Sequence, residues 1–260
     1  MRTEEINNFD ELHKRVFNKT SGTICHYTSF ESLLMILRNR SLRLTRYDLM
    51  NDIAEKQLSK CVDGESRYII SFTGTTSESV AMWALYGKHS GMKLRLECSR
   101  SSLIHTADNN FYFDPVQTDK IGLYQVDKVA NDYTKKTFSL SDVVYYDRKR
   151  NKLRLSGKPL NEITVTDVTI KELAGTVKYD AWEYEKETRL SVILRENSRR
   201  KDIRYVYLGL SDDFIKKLTI TYSPWTSLEM IEELSKVIDT LAGFPLKHKK
   251  SELFGEIGAL

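Results

Sequence analysis

The sequence predicts an α+β fold, a single domain over residues 1–260 in which a mixed, mainly antiparallel sheet is flanked by helices. Three observations carry this. Short alternating stretches that suit strands are interspersed with amphipathic stretches that suit helices, without the regular strand–helix–strand alternation of a parallel sheet. Only 4 prolines and 12 glycines are present, which leaves little room for long linkers. The apolar fraction of 40%, with 10% aromatic residues, is enough for a packed core.

Along the chain, residues 8–18 read as an opening helix of mixed charge, and 22–27 as a short buried strand. A helix is expected over 29–39, where Phe30, Leu33, Leu34 and Leu37 recur at helical spacing; Thr28 followed by Glu31 has the form of a capping box. Residues 41–46 alternate as a strand with one wet face, and a further helix is expected to begin near Asn51-Asp52. A strand over 67–73, a helix over 77–88 and a strand over 92–97 follow. The middle is less patterned: strands at 122–129 and 143–147, then a helix at 163–176. Strands at 187–194, 203–209 and 218–223 precede a last amphipathic helix over 227–241 with Ser227 as its cap, and 196–202 reads as a hairpin tip.

Composition excludes several classes. No apolar run approaches the roughly 20 residues that span a bilayer, and the N-terminus lacks an apolar signal region, so a cytoplasmic protein is expected. The three cysteines, Cys25, Cys61 and Cys98, form no C-x-x-C pair; reduced, buried thiols fit better than a disulfide framework or a cysteine zinc site. Forty basic against 36 acidic residues give a formal charge of +4, which permits nucleic-acid contact without demanding it. There is no Gly-rich phosphate loop, no G-x-S-x-G elbow and no close histidine pair among the 5 histidines.

Four segments can carry chemistry. His26-Tyr27-Thr28-Ser29 stands where a strand meets a helix, a natural place for an anionic ligand, with a core histidine and a capping threonine as the structural alternative. Asn51-Asp52-x-x-Glu55 is either part of a site or a helix start with acidic residues in its first turn. Ser71-Phe72-Thr73 precedes Met82-Trp83-x-x-Tyr86-Gly87, in which Trp83 and Tyr86 share a helix face and serve either as core or as a platform for a planar ring. In Trp182-Glu183-Tyr184-Glu185-Lys186-Glu187-Thr188-Arg189, an extended chain puts Glu185, Glu187, Arg189 and Ser191 on one face. That face suits either an oxocarbenium-stabilising cluster or a solvated sheet surface with an ion pair. The basic stretches at 148–154 and 199–204 read as solvated loops or as contacts to a phosphate backbone.

Taken in order, these segments resemble the bacterial family known as domain of unknown function 2971. The residues that carry the resemblance are His26 to Ser29, Leu33 to Leu37, Leu42 to Glu55, Ser71-Phe72, Met82 to Gly91, and Lys178-Trp182-Glu185-Glu187-Arg189. The arrangement is also similar to the ADP-ribosyltransferase superfamily, although the Ser-Thr-Ser strand of that superfamily is only approximated by Ser71-Phe72-Thr73. The resemblance implies an ADP-ribosyltransferase-like fold and NAD as substrate. His26, with Tyr27 and Thr28, would then hold the adenosine-side ribose, and Tyr86 or Trp83 would stack on nicotinamide. Glu187, with Glu185 as the alternative, would bond the ribose 2′-hydroxyl and stabilise the oxocarbenium ion. Arg43, Arg46 or Arg189 would meet the pyrophosphate, and Asn51, Asp52 and Ser71 would complete the site. It further implies a toxin or anti-phage effector that modifies a protein or nucleic acid, with a regulatory partner in view. Two other classes stand beside it. One is a nucleic-acid-binding or nuclease effector in which Asp52, Glu55, Glu185 and Glu187 hold Mg²⁺; the other is a non-catalytic nucleotide-sensing module.

Overall fold

In a computed structural model of the protein, the described residues are 12, 16–17, 19–50, 52, 55, 67–86, 92–107, 111–112, 138–147, 149–150, 152–155, 158–164, 173, 175–193 and 204–257. The fold is α+β, with helices and a large, mixed, mainly antiparallel sheet. By its internal contacts the chain divides into two units. One comprises Ser21–Leu42, Phe72–Asn110 and Leu208–Leu260; the other comprises Met1–Thr20, Arg43–Ser71 and Phe111–Tyr207. They are named below after the strands β1 and β11 that they contain.

In the β1 unit, β1 (Thr23–Ser29) runs antiparallel to β4 (Lys93–Ser99) along its whole length, from Thr23 opposite Ser99 to Ser29 opposite Lys93. On its other side Cys25 lies opposite Thr73, the last residue of β3 (Arg67–Thr73). Beyond β4 come β13 (Thr219–Tyr222), antiparallel, and β14 (Lys247–Lys249), parallel to β13. Helix α1 (Phe30–Asn39) follows β1 directly and buries Leu33, Ile36 and Leu37. Its cap is Ser29, whose Oγ accepts from Ser32 N at 3.2 Å. The Thr28 capping box is thereby corrected by one residue: Thr28 still belongs to the strand and is buried. Helix α2 (Val80–Leu85) is shorter than its predicted span because Ser79 caps it and Tyr86 returns to extended backbone. A helix absent from the sequence reading, α3 (Arg100–Ala107), follows β4. Helix α4 (Asp212–Ile215) precedes β13, and α5 (Leu228–Ala242) starts at Ser227 as expected and ends at Gly243, whose φ of 83° suits only glycine well.

The β11 unit holds residues 43–46 of β2 (Ser41–Arg46), with Thr45 opposite Ile69 and Arg46 opposite Tyr68 of β3, and also β5 (Phe111–Tyr112). Strand β6 (Phe138–Asp142) pairs antiparallel with β11 (Glu187–Ile193), from Thr188 opposite Asp142 to Val192 opposite Phe138. A separate sheet has the order β10 (Val177–Tyr179), β7 (Val144–Asp147), β8 (Lys152–Leu155), β9 (Lys158–Thr164). Leu12, Val16, Val144, Leu153, Leu155, Leu173 and Val177 form its apolar core, and Leu12 and Val16 are helical as expected. The helix expected over 163–176 is corrected at its ends, where Ile163 and Thr164 close a strand and Leu173, Gly175 and Thr176 are turn or bend residues; 165–172 and 174 lie outside the described residues. The strand predicted at 122–129, the hairpin tip at 196–202 and nearly all of the helix from Asn51 lie outside the described residues. Strand β12 (Tyr205–Gly209) falls within the predicted 203–209.

Candidate functional site

The Trp182-to-Arg189 segment does not form one extended strand. Asp180–Glu185 is a 3-10 turn, closed when Lys186 N donates to Glu183 O at 3.1 Å and Lys186 takes a left-handed φ of 44°. Glu185 therefore ends the turn and Glu187 opens β11. Residues 187–192 are buried on both faces, which excludes the solvated sheet surface, one of the two alternatives for the face bearing Glu187, Arg189 and Ser191, and removes Glu185 from that face.

What these residues build is a buried ionic network. Arg189 is fully buried and grips Glu187 with two bonds, Nε to Oε1 at 2.7 Å and Nη2 to Oε2 at 3.0 Å. Its Nη2 also donates to Glu55 Oε1, and its Nη1 to the Gly175 carbonyl at 2.9 Å. Lys178 on β10 joins a third carboxylate to the network, reaching Glu185 Oε2 at 2.6 Å and Glu187 Oε2 at 3.1 Å. Its ammonium also lies 4.9 Å from the centre of the Trp182 ring. Glu187 N donates to Tyr145 Oη at 2.8 Å.

The electrostatics follow from this packing. Burial opposes ionisation of Glu187, but Arg189, Lys178 and the Ser71 hydroxyl outweigh it and hold the carboxyl at about 2. Burial likewise disfavours the charge on Arg189 and on Lys178, and in each case Glu187, among other carboxylates, raises the pKa above its ordinary value. The site thus keeps the Glu187 carboxylate ionised in a dry setting, where charge acts strongly. Among the described residues no three His, Cys, Asp or Glu side chains converge to hold a metal ion. Glu55 and Glu187 are engaged by Arg189 rather than arranged around an ion.

The β1 unit holds the other predicted residues. His26 is half-buried on β1, opposite Leu96, with its ring centre 5.6 Å from that of Phe72. Tyr27 and Trp83 meet edge to face at 4.8 Å and, with Met82, form a cluster against which Tyr86, Trp225 and Leu253 pack. Trp83 is fully buried and its Nε1 donates to Glu78 Oε2 at 2.8 Å, so of the two proposed stacking residues the half-buried Tyr86 is the more accessible.

The arginines separate clearly. Arg43 is exposed, its guanidinium 4.6 Å from the Tyr205 ring centre. Arg46 is engaged by Asp48 through bonds of 2.7 and 3.0 Å. Arg189 is committed to the buried network and is correspondingly removed from the pyrophosphate role. Asp52 and Ser71 are half-buried in the β11 unit; Asn51, Gly87 and Gly91 lie outside the described residues.

Sequence reasoning missed a second buried ionic group, in the β1 unit. Arg95, 4% exposed in its side chain, donates to Glu97 Oε1 at 2.7 Å and to the Thr76 carbonyl at 2.8 Å, and lies 4.0 Å from Glu78. The signal was present: Arg95-x-Glu97 has the same period-two charge pair on a strand as Glu187-x-Arg189. No protein-family model and no curated protein matches this chain.

Proposed function

We propose that the chain is an NAD-consuming ADP-ribosyltransferase, with a macromolecule as acceptor. The observation that supports this most is convergence. Glu55, Lys178, Trp182, Glu185, Glu187 and Arg189, singled out because their order resembles domain of unknown function 2971, meet in one bonded cluster across 134 residues of chain. Loss of nicotinamide from NAD leaves positive charge on the ribose, and a carboxylate held ionised stabilises it. Glu187 is such a carboxylate. Its Oε2 is shared with Lys178, which makes a shorter bond to Glu185, so transfer of that ammonium wholly to Glu185 frees an acceptor for a ribose hydroxyl. In this reading Arg189 positions Glu187 and Arg43 of the same unit meets the pyrophosphate; His26 and Tyr86 are the nucleotide contacts that the resemblance implies in the β1 unit.

The full engagement of Glu187 favours a second reading, a nucleotide-sensing module in which the network only holds the fold. Calorimetry with NAD, alongside chromatographic assay of released nicotinamide, separates the two. The transferase reading expects binding, release, weaker binding in His26→Ala and Tyr86→Ala, and release abolished in folded Glu187→Gln. Binding without release selects the sensor. No binding at millimolar NAD, or unchanged release by Glu187→Gln, removes the transferase.

A further inference from the structure

The C-terminal segment rests on the same aromatic cluster that the transferase reading assigns to the nucleotide. Its root is fixed. Strand β14 pairs with β13, and His248 bonds Tyr222 Oη through Nδ1 and Asp239 Oδ1 through Nε2, each at 2.9 Å. Its tip is held by Glu78, whose side chain is 2% exposed. Ser251 Oγ donates to Glu78 Oε2, the oxygen that also accepts from Trp83 Nε1. The Glu252 amide donates to Glu78 Oε1 at 2.8 Å. Leu253, its amide bonded to Ser251 Oγ at 3.0 Å, packs against the Tyr27–Met82–Trp83 cluster, as Tyr86 does.

From this geometry we infer that residues 251–257 are a strap that closes over the aromatic cluster, with Glu78 as its catch, and that a nucleotide reaches Tyr27 and Tyr86 only when the strap lifts. The inference rests on the reading of these aromatics as ligand contacts. Two features of the contact suit a reversible closure. Leu253 is itself only half-buried, so lifting the strap gives up little burial of its own side chain while it uncovers the Tyr27–Met82–Trp83 face beneath. And the catch joins the strap to α2 through one carboxylate, so displacing Ser251 and the Glu252 amide leaves the Trp83 bond to hold Glu78 in place.

The test uses the full chain with Leu253→Ser, which leaves the Glu78 bonds in place, and Ser251→Ala, which weakens the catch. Both are compared with wild type by hydrogen exchange, by fluorescence of 1-anilinonaphthalene-8-sulfonate, and by NAD calorimetry. The expected result in each variant is at least fivefold faster exchange over residues 80–86 and 251–257, a severalfold rise in dye fluorescence with cooperative unfolding retained, and NAD binding at least fivefold tighter. Unchanged exchange over 80–86 with unchanged dye fluorescence overturns the strap. Faster exchange with weaker NAD binding also overturns it, because the segment then belongs to the ligand site. Faster exchange and dye binding with no NAD bound by any of the three proteins leaves the strap in place and removes the NAD reading alone.

Discussion

Glu187 and Arg189 set the terms at the scale of single residues. A buried pair of this kind contributes little net stability as a whole, because desolvation offsets the attraction, but losing one partner strands the other charge. Arg189→Met is therefore expected to destabilise the protein by about 3–5 kcal/mol, as measured by urea unfolding. Replacing Glu187 by Gln keeps the shape and one acceptor, and is expected to cost less than Glu187→Ala. A smaller loss in Arg189→Met than in an exposed control such as Arg43→Met would refute the network as the keystone of its unit. The thiols give a second check. Burial raises both Cys25 and Cys98 to about 12, so neither should react with a disulfide reagent at pH 8 until the chain unfolds. Rapid modification of either in the folded protein would contradict their placement.

Among the elements, the junction between the 3-10 turn and β11 decides where the two carboxylates go. Lys186 holds a left-handed backbone, a conformation costing an L-residue roughly 1 kcal/mol, and this kink sends Glu185 and Glu187 onto one lysine. Lys186→Gly should raise the melting temperature slightly, since glycine meets no such penalty; a lowered melting temperature would show that the lysine side chain itself contributes. Gly175 presents the opposite case. Its φ is 78° and its carbonyl receives Arg189, so Gly175→Ala should cost roughly 1–2 kcal/mol. The kink also explains what was and was not legible in the sequence. Period-two spacing identified Glu187, Arg189 and Ser191 as one strand face correctly, but the left-handed residue that removes Glu185 from that face has no compositional signal, since lysine there is ordinary on a strand. Helix α1 and the strands 41–46 and 67–73 were legible from apolar spacing alone, and the Ser227-capped helix because apolar spacing and a capping side chain agreed. Helix α3 was not: Arg-Ser-Ser-Leu-Ile-His-Thr-Ala buries Arg100, Leu103, Thr106 and Ala107, and two of those four are polar. The half-burial of β11 was misjudged for a related reason, because the partners that let charges be buried, Glu55 and Lys178, lie far away in sequence.

At the scale of the whole molecule, the ionised state of the network links stability to pH. The Glu187 carboxyl is held at about 2 in the folded chain against an ordinary value of 4.5. A depressed folded value means that the unfolded chain binds the proton first, so the contribution is fully present above about 4.5 and is lost as pH falls toward about 2. Unfolding free energy from urea titrations should accordingly decline as pH falls through that window. Other carboxylates titrate there too, so the decline in wild type does not by itself identify Glu187. The comparison that does is Glu187→Gln, which has no proton to take up at this position. Its stability should start lower at pH 7, fall less steeply below pH 4.5, and approach the wild-type value near pH 2. Parallel wild-type and Glu187→Gln curves across the window would mean that folding does not depress the Glu187 carboxyl, and the electrostatic hold of Arg189 and Lys178 on it would be refuted.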